Sequence, residues 1–476
     1  MRTKLKASHI IGFQNDGHHH LQDGEVVWED DTIIYVGPCF SGSVDKVMEH
    51  QGDVVTPGFI NTHAHLFESP LDKSFVEDRG SRQFYLSGLF EYLPTRAAAA
   101  DEEAARAALA YSMAEILRTG TTTVLEIGAF PEWAVSEAAK IGIRFYMGPM
   151  YRSGRWLTAN GRTVSYEWDE KAGVQGMEQA IRFIEENDGK ENGRIKGFLS
   201  PAQVDTCTED LLRRSSDAAR AMNVPVALHT SQSVVEFQEM VQRHGKTPIE
   251  WLSDIGFLGP QAILGHCIIV ADTSWANFHG DDIGLLASTG TNVAHCVWVF
   301  ARRGILMESF SRYSERGVNM TLGTDTSPQS MIEGLRWTAT ASKWVDRRTE
   351  SATAADVFNA ATLNGAKALG RDDIGRIAVG AKADLLVWNG TSIAMTPLRD
   401  PIKNIVYSAD PESLRDVIID GEYRMQDRQI PGVDQEVLNR DLQSAAERMW
   451  SRMGEVDHAG RTVDELSPLS FPQWKD

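Results

Sequence analysis

Hydrophobic and polar positions divide the chain into three rhythms. Up to about residue 56 the pattern is one of short strands: GEVVWEDDTIIYVGP alternates, is rich in β-branched residues and is punctuated by turn residues. A second strand-like stretch lies towards the other end, GRIAVGAKADLLVWNG followed by LRDVIIDGEYRMQ, so both ends are expected to contribute to one small β domain. Between them, short apolar runs alternate with amphipathic stretches of helical period. Strands are predicted over 54–61, 121–127, 143–148, 195–199, 224–228, 262–265, 291–294 and 318–323. Helices are predicted over 101–118, 171–185, 209–222, 247–254, 332–343 and 354–368. Eight strands alternating with helices is the pattern of a parallel (β/α)8 barrel. The expected architecture is therefore α/β: a TIM-like barrel over 57–372, a small β-sandwich built from 1–56 and 373–432, and a helical tail over 433–476, where DQEVLNRDLQSAAERMWSRM reads as a polar helix.

Composition narrows the function. The 476 residues are 42% hydrophobic and 24% charged, which excludes disorder, collagen and coiled coil as the main class. No apolar run approaches the ~20 residues of a membrane span. The first twelve residues lack the apolar stretch and cleavage site of a secretion signal, so a cytoplasmic protein with no membrane partner is expected. The net charge is −19, from 47 basic and 66 acidic residues, and such a surface repels phosphate backbones, which argues against nucleic acid as partner. The four cysteines are scattered, with no CxxC. Cys267 and Cys296 each follow a histidine at the end of an apolar run and read as small buried residues. No Gly-rich phosphate loop stands at a strand-to-helix turn, which removes a nucleotide-binding module.

The chemistry lies at five predicted strand ends. PGFINTHAHL ends in His63 and His65, VPVALHT in His229, AILGHC in His266, TNVAHC in His295, and VNMTLGTDT in Asp325. Active sites of parallel barrels lie at the C-terminal strand ends, so these groups would converge on one mouth. His63 and His65 are two apart on a strand and point to the same side. With a third imidazole from His229 and a carboxylate from Asp325 they make an N3O set that suits one divalent transition metal, zinc first, with iron, cobalt or manganese as alternatives. A lone HxH would be weak, since single histidines usually serve the core or a loop. Groups at five strand ends together are not. His18, His19 and His20, in NDGHHHLQDG, are expected in a solvated hairpin loop, and His244 and His279 at a helix end and in a loop.

Taken together, PGFINTHAH, the later strand ends, LGTDT and the closing IGRIAVGAKADLLVW resemble the amidohydrolase superfamily over roughly 24–432. The likeness is to its branch of triazine hydrolases and cytosine-deaminase-like aminohydrolases, and within that to phenylurea and thiocarbamate hydrolases. The resemblance implies a metal-bearing barrel, His63, His65, His229 and Asp325 as ligands, and His266 as a further ligand or a partner of the bound water or substrate. It also implies, by analogy, a homo-oligomer acting on a small molecule. Two departures stand out. Deaminases of this branch usually carry a glutamate three residues after the strand-five histidine, whereas HTSQ places Gln232 there; Glu236 lies one helical turn further on. GTDTSPQS and HCVWVFARRG also lack the Ser-Asn pairs common on the substrate side.

The expected reaction is therefore hydrolysis of a non-peptide C–N bond of amide, urea or carbamate type, such as in an N-aryl xenobiotic. It would use a metal-activated hydroxide, Asp325 as general base, His266 or His295 polarising the carbonyl, and Gln232 holding the substrate. The alternative is an aminohydrolase, deaminase or dechlorinase, acting on a heteroaromatic ring such as a triazine or pyrimidine. A non-catalytic scaffold is the rival from another class, and the intact ligand set argues against it. A second metal would need a bridge; Lys196 lies early in strand four and Gln203 nearer the mouth, which favours one ion. The long aromatic loop after strand one nominates Phe67, Phe84 and Tyr85 for the pocket. Trp298 and Arg152 are nominated beside them, and Glu126 as a group behind the ligands.

Overall fold

The computed structural model describes residues 1–75 and 82–474. Residues 76–81 of the long loop after strand one lie outside that set. The chain opens with an antiparallel hairpin of β1 (Arg2–Gln14) and β2 (Gly17–Glu29), turned by Asn15 and Asp16 at φ 47° and 61°. Two consecutive left-handed residues define a tight two-residue hairpin, and Asn and Asp tolerate that region best after glycine. The turn thus precedes the histidine run, and His18, His19 and His20 sit within β2, not in the expected loop. β3 (Thr32–Gly37) and β4 (Lys46–Pro57) follow, then β5 (Phe59–Ala64). The single strand predicted over 54–61 is two strands that serve different sheets. They part at Gly58, where a Cβ would run into Thr122.

The middle of the chain alternates strands and helices as expected. β6 (Thr121–Gly128) and β7 (Arg144–Tyr151) are followed by a hairpin of β8 (Gly154–Leu157) and β9 (Ser165–Trp168) that the pattern did not foretell. Then come β10 (Ile195–Gly197), β11 (Ser200–Pro201), β12 (Val226–Thr230), β13 (Ala262–His266), β14 (Asn292–His295) and β15 (Asn319–Leu322). β5, β6, β7 and β10 form one parallel sheet and β12 to β15 another. Isolated parallel bridges join the two: Leu199 to Val226 and Gln203 to His229 on one side, Ala64 to Asp325 on the other. These strands are buried along nearly their whole length, as parallel strands covered on both faces are. The helix predicted over 354–368 is two, Ala354–Ala360 and Leu363–Ala368. They part at Thr362, whose hydroxyl bonds back to the Phe358 carbonyl at 2.6 Å.

The two ends of the chain meet in one sheet. β16 (Leu385–Trp388), β17 (Leu414–Ile419) and β18 (Glu422–Met425) complete the order β18-β17-β16-β4-β1-β2-β3. It curls: Ile33 of β3 shares a buried cluster with Ile418 of β17, and the Ile33 amide donates to the Ala381 carbonyl at 2.8 Å. The C-terminal helix Gln435–Val456 lays Leu442, Ala446, Met449 and Met453 against Ala104 and Ala108 of the helix Glu102–Arg118. Among the described residues no helix is long and apolar enough to cross a membrane.

The sheet is tied to the body by a buried ion cluster. Arg144, at the start of β7, donates to both oxygens of Asp384 at 3.1 and 3.0 Å and also reaches Asp420, on which Arg194 closes at 3.2 Å. Removing one member of such a cluster leaves buried charge uncompensated, at a cost of about 3–5 kcal/mol. Arg144→Met is expected to lower the urea midpoint accordingly; a midpoint equal to wild type would show that the cluster contributes nothing.

Candidate active site

The observed strands 226–230, 262–266 and 292–295 run one or two residues beyond their predicted ends, which places His229, His266 and His295 at the ends of the strands themselves. His63 and His65, on alternate positions of β5 and its continuation, have ring centroids 5.3 Å apart and rings nearly perpendicular. The His63 ring lies 4.7 Å from that of His229 and 4.8 Å from that of His266. Asp325 follows β15 and closes the group: its Oδ1 stands 3.5 Å from His65 Nε2 and 4.0 Å from His63 Nε2, and its Oδ2 3.9 Å from His266 Nε2. The Asp325 amide donates to the His63 carbonyl at 2.9 Å, and its carbonyl accepts from the His65 amide at 2.8 Å.

Hydrogen bonds at the back of the rings set their tautomers. His65 Nδ1 donates to the Ile127 carbonyl at 2.7 Å and His229 Nδ1 to the Ala202 carbonyl at 2.6 Å. A carbonyl can only accept, so both Nδ1 atoms carry the proton, and in the neutral tautomer each ring turns an Nε2 lone pair inward. Those two lone pairs face each other at 3.1 Å. His63 Nε2 is buried there with no hydrogen-bond partner. His63, His65 and His229 each bring one ligand nitrogen within 4.8 Å of the others. Burial, reinforced by the neighbouring imidazoles, holds His63 and His266 well below the ordinary histidine range and His229 down to about 3. Neutral imidazoles with converging lone pairs beside a carboxylate are a donor set that fits a divalent transition metal. Two of the residues pay in backbone strain: His266 sits at φ 81° and Asp325 at φ 60°.

Above the cluster opens a cavity of about 870 Å³. His65, His229, His266 and Asp325 line it, as do Phe67, Arg152, Gln203 and Gln232 among the nominated residues. Phe84, Tyr85 and Trp298 lie elsewhere. Phe84 is buried against Phe90 with centroids 5.3 Å apart, Tyr85 faces solvent, and Trp298 packs on Trp337 at 4.9 Å. His295 is buried but off the cavity wall, 6.0 Å from the Phe310 ring. Glu126 lines the cavity and takes the Leu66 amide at 2.7 Å; burial raises its carboxyl well above the usual range. Glu236 is turned under the loop: it accepts from the backbone amides of Ser231 and Gln232, and it does not line the cavity. Its carboxylate is thus turned to the backbone and away from the cavity wall. The Lys196 ammonium is held by Asp188 at 3.2 Å, off the cavity wall.

Sequence reasoning missed four aromatic wall residues: Phe130, Trp133, Trp156 and Phe300. Phe300 sets its ring 4.7 Å from that of His266. Trp156 rides on the β8–β9 hairpin, which Asp205 anchors by accepting from Trp156 Nε1 at 2.7 Å and from the Tyr166 hydroxyl at 2.8 Å. Phe300 and Phe130 could have been nominated by their closeness to a strand end; nothing in the pattern points to Trp156.

Residues 54–424 match the model of the amidohydrolase family. The chain belongs to that family. It is an enzyme, a metal-dependent hydrolase acting on carbon–nitrogen bonds other than peptide bonds. It is 28% identical over 453 residues to a 5'-deoxyadenosine deaminase of Methanosarcina mazei, covering 94% of this chain and 98% of that one. Among solved structures it shares the fold of an adenosine deaminase from Xanthomonas campestris with bound zinc, at a TM-score of 0.80 and 22% identity, covering 94% and 98% of the two chains. It also shares the fold of the zinc complex of atrazine chlorohydrolase from Arthrobacter aurescens TC1, at a TM-score of 0.78 and 18% identity over 93% and 100%. The expected place beside triazine hydrolases stands at the level of fold. The deaminase relatives, and not phenylurea or thiocarbamate hydrolases, are what the full-length sequence match supports.

Proposed function

We propose that this enzyme hydrolytically displaces an amino group, or a comparable leaving group, from a ring carbon of a small heteroaromatic substrate. In this reading the two parallel sheets and their bridges form one closed (β/α)8 barrel over 57–372, with the curled terminal sheet as a sandwich over 1–56 and 373–432. The observation that carries the proposal is the cavity itself: Phe67, Phe130, Trp133 and Phe300 line the cavity that the histidine cluster opens into, with the Phe300 ring 4.7 Å from that of His266, and an aromatic lining suits a flat ring. The full-length likeness to a 5'-deoxyadenosine deaminase supports it.

His63, His65, His229 and Asp325 would hold a single ion, with zinc the first choice, and His266 would face the same centre. When bound, such an ion would supply the Lewis acidity that lowers the pKa of water and polarises the ring or carbonyl under attack. Asp325, whose carboxylate faces His65 Nε2 at 3.5 Å and His266 Nε2 at 3.9 Å, would take a proton from the attacking water and return it to the departing nitrogen. Gln232 donates its amide N–H to a ring nitrogen or carbonyl, and the aromatic walls exclude bulk water.

One observation favours a second reading, hydrolysis of an acyclic amide, urea or carbamate. Gln232 cannot carry a proton to a ring nitrogen, and Glu236 is committed to the backbone. An acyclic substrate needs only the one proton that Asp325 returns. The product separates the two: zinc-loaded protein is offered aminopurines, aminopyrimidines and aminotriazines beside aryl ureas and carbamates, and ammonia is assayed against released amine. Amine release alone would sink the ring reading. Gln232→Glu sharpens the test. If a ring nitrogen must be protonated, the variant gains activity on ring amines; if the amide holds a substrate carbonyl, kcat/KM falls by about tenfold or more.

A further inference from the structure

Four guanidinium groups reach the cavity, those of Arg96, Arg152, Arg155 and Arg303. Three have their interactions inside the protein. Arg96 is clasped by Asp72 and Glu68, Arg155 meets Glu167 at 3.1 Å, and Arg303 lies over the Phe300 ring at 5.4 Å with its Nε on the Val299 carbonyl at 3.0 Å. Arg152 is half-buried, yet its guanidinium has neither a hydrogen bond nor an ion pair among the described residues. Burial, and then the like charge of Arg155, lowers its pKa against the opposing pull of Glu68 and Asp205. A guanidinium stays charged in any protein environment. One that is partly desolvated and unpaired is a cost to the fold that a ligand can relieve.

Its backbone is pinned on both sides. The Tyr151 carbonyl accepts from the Ala202 amide at 2.8 Å, and the Ser153 amide donates to the Thr206 carbonyl at 3.0 Å. Ala202 is the residue whose carbonyl orients His229, so Arg152 stands one position beyond the link between β7 and the histidine cluster. An unpaired planar fork carried on a fixed stretch of backbone is a ready partner for a planar anion.

We propose that Arg152 receives a carboxylate of the substrate and makes the site selective for heteroaromatic amines that bear an acidic substituent. The inference rests on the reading of the cavity as the substrate site, and its test uses binding, not turnover. Matched pairs of aminopurine, aminopyrimidine and aminotriazine, each as carboxylate and as methyl ester, are titrated calorimetrically into zinc-loaded wild type, Arg152→Met and Arg152→Lys. At least one carboxylate is expected to bind wild type about ten- to a hundredfold more tightly than its ester. That preference should vanish in Arg152→Met and persist in reduced form in Arg152→Lys, with the urea midpoint of neither variant falling below that of wild type. No carboxylate preference in any pair, or one that survives in Arg152→Met, overturns the proposal. Preferential binding with no compound turned over would instead overturn the ring-displacement reading and leave the role of Arg152 in place.

Discussion

Asp325→Asn lowers kcat by about a thousandfold or more, with the fold intact. The backbone of this residue is fixed by the His63 carbonyl and the His65 amide, and neither bond involves the side chain. At φ 60° asparagine is as well tolerated as aspartate, so the variant keeps the turn that follows β15. What it loses is specific. An amide cannot take a proton from water, and it brings no negative charge to the imidazoles of His63, His65 and His266, all within 4.0 Å of the carboxylate. Activity is read as ammonia or amine release, and integrity as the thermal midpoint and circular dichroism. A variant that retains a tenth of wild-type turnover would remove Asp325 from the role of base.

An equally large effect is expected on stripping the metal. Protein prepared without added metal or affinity tag should contain about one divalent transition-metal ion per chain by elemental analysis. Chelation should abolish turnover, and zinc should restore it. Because burial holds the His229 imidazole down to about 3, protons compete weakly for that ligand at mildly acidic pH, and the ion should be retained at pH 5. An ion present at a thousand times its dissociation constant stabilises the folded state by about 4 kcal/mol, so the stripped protein should also melt earlier. Two ions per chain would call for a bridging ligand that Lys196, held by Asp188, does not offer. No ion, with no activity recovered on adding Zn²⁺, Fe²⁺, Co²⁺ or Mn²⁺, would turn attention to a binding scaffold.

How much of this was legible in the sequence depended on whether the signal was local. His63, His65, His229, His266 and Asp325 could be placed because each closes a short apolar run, and strand direction then carries all five to one end of the parallel sheets. The residues that were misplaced are those whose direction is decided by a distant partner. Phe84 and Tyr85 are neighbours in an aromatic loop, but packing on Phe90 buries one and leaves the other in solvent. Trp156 enters the cavity wall only because Asp205, nearly 50 residues on, holds the hairpin that carries it. Glu236 looked available from its spacing. The unpaired amides of the loop after His229 claim it, a demand visible only once the loop has a shape. The strand predicted over 54–61 failed for a similar reason: the apolar run continues through Gly58, but the two halves answer to different neighbours, β16 and β6.

The sheet built from both termini also bears on the order in which the molecule can be made. β4 has β1 on one side from the outset, but its other edge is filled by β16, with Pro57 opposite Leu385. About 330 residues separate the two, which at typical synthesis rates is a wait on the order of twenty to sixty seconds. Throughout that interval the growing chain presents an unpaired edge in VVTP, an apolar strand end of the kind that recruits other strands. Asp384 and Asp420, which close on Arg144, arrive in the same late segment, so the guanidinium at the start of β7 also stays uncompensated until then. The enzyme's shelter from aggregation thus arrives only in the last quarter of synthesis. A chain cut short before residue 385 would hold every histidine of the site and still lack its final strand pairing.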